Sequence, residues 1–92
     1  MSQSQRTATI ASSVGLHARP AALFVKAATA TGFPIRIGRM GEEPVDARSI
    51  LGVMALGAKF GEEIQLSADG DGADAALDEL VALLSRDLDA QE

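Results

Sequence analysis

Gly15-Leu16-His17-Ala18-Arg19-Pro20-Ala21-Ala22-Leu23-Phe24-Val25 is the stretch that decides how this chain is read. It carries the single histidine of the 92 residues, an arginine two positions on, and a proline. Proline has no N–H to donate and a fixed φ, so it suits the first turn of a helix, where that amide would have no intrahelical partner. From Ala18 to about Ala30 no glycine interrupts, and Ala18, Ala21, Ala22, Val25 and Ala28 recur at helical spacing. Gly32 stands where a C-terminal stop is expected. The stretch therefore reads as a flexible glycine, a histidine at the N-cap position or just before it, and a helix behind.

Toward the N-terminus, Arg6 to Ile10 alternates, with Ala8 and Ile10 on one side and Thr7 and Thr9 on the other, the pattern of a short half-buried strand. Ala11 to Gly15 is then a loop, and Gly15 lets the backbone turn just ahead of His17. Toward the C-terminus, Phe33, Ile35 and Ile37 alternate with Pro34, Arg36 and Gly38 in a second strand. Met40-Gly41-Glu42-Glu43 reads as a hairpin turn and Pro44-Val45-Asp46 as a very short third strand. Ser49 suits an N-cap, so the apolar run from Ile50 is a short helix ending near Gly57, with Gly52 inside it allowing a close approach. Glu63 to Asp69 alternates as a fourth strand with Ile64, Leu66 and Ala68 inward. Asp71 is expected to cap a last helix, with Asp74 three residues on and Ala73, Ala76, Leu77, Leu80, Leu84 and Leu88 as its apolar stripe.

The order β-α-β-β-α-β-α, without repeats or a linker, points to an α+β fold in which three helices cover one face of a largely antiparallel sheet. One domain is expected over residues 1–92, with 1–4 and 89–92 frayed. A chain of this length buries roughly 60–70% of its unfolded surface, enough for one core. That core is aliphatic and fine-grained: the apolar fraction is 47%, with three Phe and no Tyr or Trp.

Composition removes several classes of function. Without cysteine there is no disulfide, thiolate nucleophile or zinc cluster, and with one histidine a metal site would rest on carboxylates alone, so neither metal nor cofactor is expected. The polar N-terminus and the absence of a long apolar run predict neither a signal peptide nor a membrane span, hence a cytoplasmic protein. A net charge of −5 argues against nucleic-acid binding, which needs a basic face.

A helix N-terminus offers amide donors to an anion, and Arg19 can bring a guanidinium toward the same point. A neutral imidazole there is a nucleophile near neutral pH, and a phosphoryl group placed on it would find its charge shared. Those parts suit a phosphoryl acceptor. They do not suit a hydrolase, since no second acid–base residue lies near His17 in the sequence. On the residues alone another reading stands beside this one: an incidental histidine, Arg19 as a solvated surface charge and Gly15 as an ordinary turn.

Gly15 to Ala21 resembles the active-site signature of the HPr family, the histidine-containing phosphocarriers of the bacterial phosphoenolpyruvate-dependent sugar phosphotransferase system. Arg48-Ser49-Ile50-Leu51-Gly52-Val53-Met54-Ala55-Leu56-Gly57 resembles that family's second signature, and the two motifs stand in the right order at nearly the family spacing. The resemblance implies an open-faced β-sandwich and a carrier with a covalent phosphohistidine rather than a stand-alone enzyme. It implies that His17 is phosphorylated on Nδ1 by enzyme I and relieved by sugar-specific enzyme IIA domains, that Arg19 neutralises the phosphoryl group, that Pro20 keeps the helix start rigid, and that the amides of Ala18 and Arg19 complete the phosphate contacts.

The same resemblance makes Ser49 the serine modified by an HPr kinase/phosphorylase, with a transcriptional regulator as a further partner; as a bare residue, Ser49 is equally an N-cap. Ala22, Leu23, Ile50, Leu51 and Met54, together with Phe24, are expected to form the apolar patch that partners grip, while Val53, Leu56 and Val25 pack inward. Lys26, Arg48 and Lys59 would form a basic rim that steers acidic partners. The protein is expected to act as a monomer. Two departures from the family pattern stand out: Val14 where many relatives have a small polar residue, and a segment before Ser49 about one residue longer than usual, with Glu42-Glu43 in its turn. The alternatives are a paralogous carrier of a nitrogen-related or dihydroxyacetone phosphorelay, and a regulatory binding module acting through Ser49.

Overall fold

In the computed structural model of the chain, which describes residues 3–13 and 15–86, the sheet is built on two strands of seven residues, β1 (Gln3–Thr9) and β4 (Glu63–Asp69). They pair antiparallel along their whole length, from Gln3 opposite Asp69 to Thr9 opposite Glu63. β2 (Arg36–Arg39) lies antiparallel on the other side of β4, and β3 (Val45–Asp46) closes the edge beside β2, so the order across the sheet is β1-β4-β2-β3. α1 (Ala18–Ala30) joins β1 to β2, α2 (Ile50–Ala55) joins β3 to β4, and α3 (Ala73–Leu84) follows β4. The result is the expected four-stranded antiparallel sheet with three helices on one face, an open-faced sandwich whose helical crossovers link strands that are not neighbours.

The two-residue period of the strands explains the layering. Ala8 stands opposite Ile64, and Ile37 opposite Leu66; all four are buried beneath the helices, while Thr7, Thr9 and Glu63 face out. The helices complete one core with Ala21, Phe24 and Ala28 from α1, Val53 from α2, and Ala73, Leu77, Leu80 and Leu84 from α3.

α1 has the expected bounds but turns a different face inward. Pro20, Ala21, Phe24 and Ala28 are buried, Val25 is half-buried, and Ala18 and Ala22 are exposed. A helix buries one stripe, and the bulk of Phe24 places that stripe, so Phe24 belongs to the core and not to the expected partner patch. β1 begins at Gln3 rather than Arg6, since backbone pairing asks nothing of side-chain polarity; Gln3 and Ser4, expected to fray, pair with Asp69 and Ala68. Ile10 falls outside the strand yet is buried, held by Ile10 N–H to Glu62 O at 2.9 Å and Gly61 N–H to Ile10 O at 2.8 Å. β2 is confined to Arg36–Arg39, because the chain turns tightly before it, Ile35 N–H donating to Phe33 O at 2.9 Å.

The cap of α3 is Gly72, at φ +88° and without a side-chain bond, rather than Asp71. The left-handed backbone that brings the chain round past Phe33 needs glycine at that point. Asp74 instead faces Arg6, 3.4 Å away, and Asp78 accepts a hydrogen bond from Arg6 Nε at 2.8 Å, tying the first strand to the last helix and raising the arginine's pKa chiefly through that bond. The expected stripe of α3 is buried from Ala73 to Leu84; Leu88 and residues 89–92 lie outside the described residues. Gly52 sits in ordinary contact with its neighbours, a Cβ there standing 3.4 Å from Ser49 Oγ. A close approach occurs instead at Gly38, one strand away, where a Cβ would meet Pro44 Cα at 2.9 Å.

Candidate functional site

The loop from Ile10 to His17 is hung on the rest of the molecule by backbone bonds. Ala11 N–H donates to Leu84 O at 3.1 Å, Gly15 N–H to Ser12 O at 2.9 Å, and Leu16 N–H to Ala58 O at 2.9 Å. Ser12 is buried, and its hydroxyl has no partner among the described residues; Val14 lies outside them. Leu16 is buried and anchors the loop, while His17, Ala18 and Arg19 are exposed. Gly15 has φ +74°, and a Cβ on it would stand 2.5 Å from Ala58 O and 3.0 Å from Lys59 Cα, so two reasons exclude a side chain there.

His17 is the N-cap of α1, with extended backbone at φ −96° and ψ −164°, and its side chain makes no capping hydrogen bond. Its carbonyl accepts the first internal bond of the helix, from Ala21 N–H at 2.8 Å. The amides of Ala18 and Arg19 precede that bond, and Pro20 has none to give. An exposed imidazole thus stands at the mouth of a thirteen-residue helix, the positive end of its dipole, with Arg19 in the first turn. No acidic residue occupies that turn.

Ser49 is the N-cap of α2, as expected. Its Oγ accepts a hydrogen bond from Gly52 N–H at 3.1 Å, and the residue is exposed. α1 and α2 pack against one another, which sets the second motif beside the helix that His17 opens. Of the residues expected to form an apolar surface, Ala22 is exposed, Leu23 and Ile50 are each 37% exposed and Leu51 78%; Met54 is half-buried against the core. Val53 is fully buried, and Val25 and Leu56 are partly so.

The basic rim is weaker than the sequence suggests. Lys26, Arg48 and Lys59 are exposed, but Arg48 is folded back on Asp46, with Nε and Nη2 at 3.1 and 3.3 Å from the two carboxylate oxygens and its own N–H on Oδ1 at 2.9 Å. Those bonds hold the Asp46 carboxyl below its ordinary range, raise the Arg48 pKa, and set a carboxylate against that member of the rim. Sequence reasoning missed the carbonyl of Ala58 as the peg of the loop. Its bond to Leu16 is made by backbone atoms, which no side-chain pattern announces.

Residues 4–86 match the family model described as PTS HPr component phosphorylation site. The phosphocarrier protein HPr of Streptomyces coelicolor is 53% identical over 75 residues, covering 82% of this chain and 81% of that protein. The HPr of Haloferax volcanii is 44% identical over 82 residues, covering 88% and 92%. Among solved structures, the crystal structure of an HPr from Bacillus anthracis superposes with a TM-score of 0.84 at 36% identity, over 91% of this chain and 99% of that one.

Proposed function

The chain belongs to the HPr family of phosphotransferase-system phosphocarriers, and on that premise we propose that His17 accepts a phosphoryl group from phospho-enzyme I and passes it to sugar-specific enzyme IIA domains in the cytoplasm. The observation that carries this reading is the state of His17: an exposed N-cap whose imidazole is not used to cap its own helix. One ring nitrogen attacks phosphorus as the bond to the donor breaks, and the other nitrogen keeps its proton. The transferred group then lies at the helix mouth, where the first-turn amides and the Arg19 guanidinium share its charge. Held by a few backbone amides and one guanidinium, the group is bound loosely enough to move on.

Ala22, Leu23, Ile50, Leu51 and Met54 form the face that partners grip, and Ser49 lies at its border. Phosphorylation of Ser49 by a kinase would add about −1.5 to −2 charges to that border, beside the helix start that already tolerates an anion, and would hinder docking without unfolding the domain. The reading is tested by rebuilding the relay from phosphoenolpyruvate, enzyme I and an enzyme IIA domain. Label should reach the IIA domain when this chain is present and fail to do so with His17→Ala; transfer through the His17→Ala chain would refute it.

A further inference from the structure

The turn beneath the His17 loop is held by two side chains that lie far from the histidine in sequence. Arg39, the last residue of β2, sends Nη1 to the carbonyls of Leu56 at 3.0 Å and Gly57 at 3.5 Å, the end of α2. Its Nη2 donates to one carboxylate oxygen of Glu62. The other oxygen of Glu62 accepts Lys59 N–H at 2.7 Å, and Glu62 N–H closes the turn on Lys59 O at 3.0 Å. Both side chains are about one-third exposed, 33% and 30%.

Ala58 sits between these grips: the carbonyl before it is held by Arg39 and the amide after it by Glu62. Its own carbonyl takes Leu16 N–H and abuts Gly15. The same turn also holds the start of the loop through the paired bonds of Ile10 with Gly61 and Glu62. We propose that Arg39 and Glu62 are a positioning pair for phosphoryl transfer, fixing the Ala58 carbonyl and with it the Gly15–Leu16 backbone that aims His17. This rests on the proposed role of His17 and adds two residues that would act on it through the backbone they hold. A guanidinium suits the task because its planar fork reaches a carbonyl and a carboxylate at once, whereas a lysine ammonium is a point donor.

The test compares wild type with Arg39→Gln, Arg39→Lys and Glu62→Gln in two measurements: hydrogen exchange at the Leu16 amide, and steady-state phosphorylation by phospho-enzyme I. Arg39→Gln should speed Leu16 exchange by roughly tenfold relative to the Leu66 amide in the sheet. It should lower kcat by roughly five- to tenfold with KM within about twofold, the signature of a misaimed nucleophile on an intact docking face. Arg39→Lys should fall between it and wild type. A loss of stability alone, with Leu16 exchange and kcat unchanged, would overturn the proposal, as would an effect confined to KM. Should Arg39→Gln fail to fold, Glu62→Gln decides by the same criteria, since its amide oxygen still accepts the Lys59 N–H. If the wild type takes no phosphoryl group, the reading of His17 fails, and Leu16 exchange still decides whether the clamp exists.

Discussion

At the scale of single residues, Gly15 is where the backbone has least choice. Its φ of +74° lies in the left-handed region, and the space a Cβ would need is filled by backbone of Ala58 and Lys59. Gly15→Ala should therefore cost at least about 1–2 kcal/mol for the conformation alone, and more for the displaced backbone. Chemical denaturation would register that loss, and transfer to His17 should slow alongside it; an unchanged midpoint would show that the loop does not rest on Ala58. The turn itself is legible in the sequence, since a glycine ahead of a histidine and a first-turn proline spells a sharp entry into a helix. The contact that forbids a side chain is not legible, because its other half lies beyond two strands and a second helix. Asp71 fails as a cap for a related reason: Gly72, beside it, takes the left-handed geometry the turn past Phe33 requires.

At the scale of elements, α1 and α2 divide their residues between core and surface. Phe24 is wholly buried and Leu51 is 78% exposed, although both stand in apolar runs of similar composition. Phe24→Ala should cost about 3–5 kcal/mol of stability. Leu51→Ala should leave stability within about 0.5 kcal/mol and raise KM for phospho-enzyme I; a stability loss at Leu51 or an unchanged KM would remove it from the docking face. Helix bounds are legible where both ends carry a signal, as α1 shows with Pro20 and Gly32. Helix phase is not, because an alanine-rich helix offers several stripes of equal hydropathy and the partner elements choose among them. For α2, Ser49→Asp places a negative charge where the side chain caps the helix. Phosphorylation of His17 should slow while the fold is retained, read by the rate with enzyme I and by circular dichroism; an unaffected rate would remove Ser49 from the docking border.

At the scale of the whole molecule, the alternation of β4 and the stripe of α3 announce a sheet with helices on one face, and the element order limits how the strands connect. Gln3 to Gln5 carry no such signal, yet they complete the ladder with β4, since an edge strand is recruited by its backbone. The fold serves the site by contrast: a packed apolar core holds α1 still, and its N-terminal histidine is left in water. The pairing of Arg39 with Glu62 was beyond reach of the sequence: Glu62 accepts a local bond from Lys59 N–H, but only the finished topology brings Arg39 to it and to the end of α2. The central claim is that this exposed imidazole carries the phosphoryl group. Incubation with phosphoenolpyruvate and enzyme I, followed by intact mass before and after mild acid, tests it most directly: a gain of one phosphoryl group that acid removes and that His17→Ala abolishes is the predicted result, and an unchanged mass, or an acid-stable adduct that persists in His17→Ala, would contradict it.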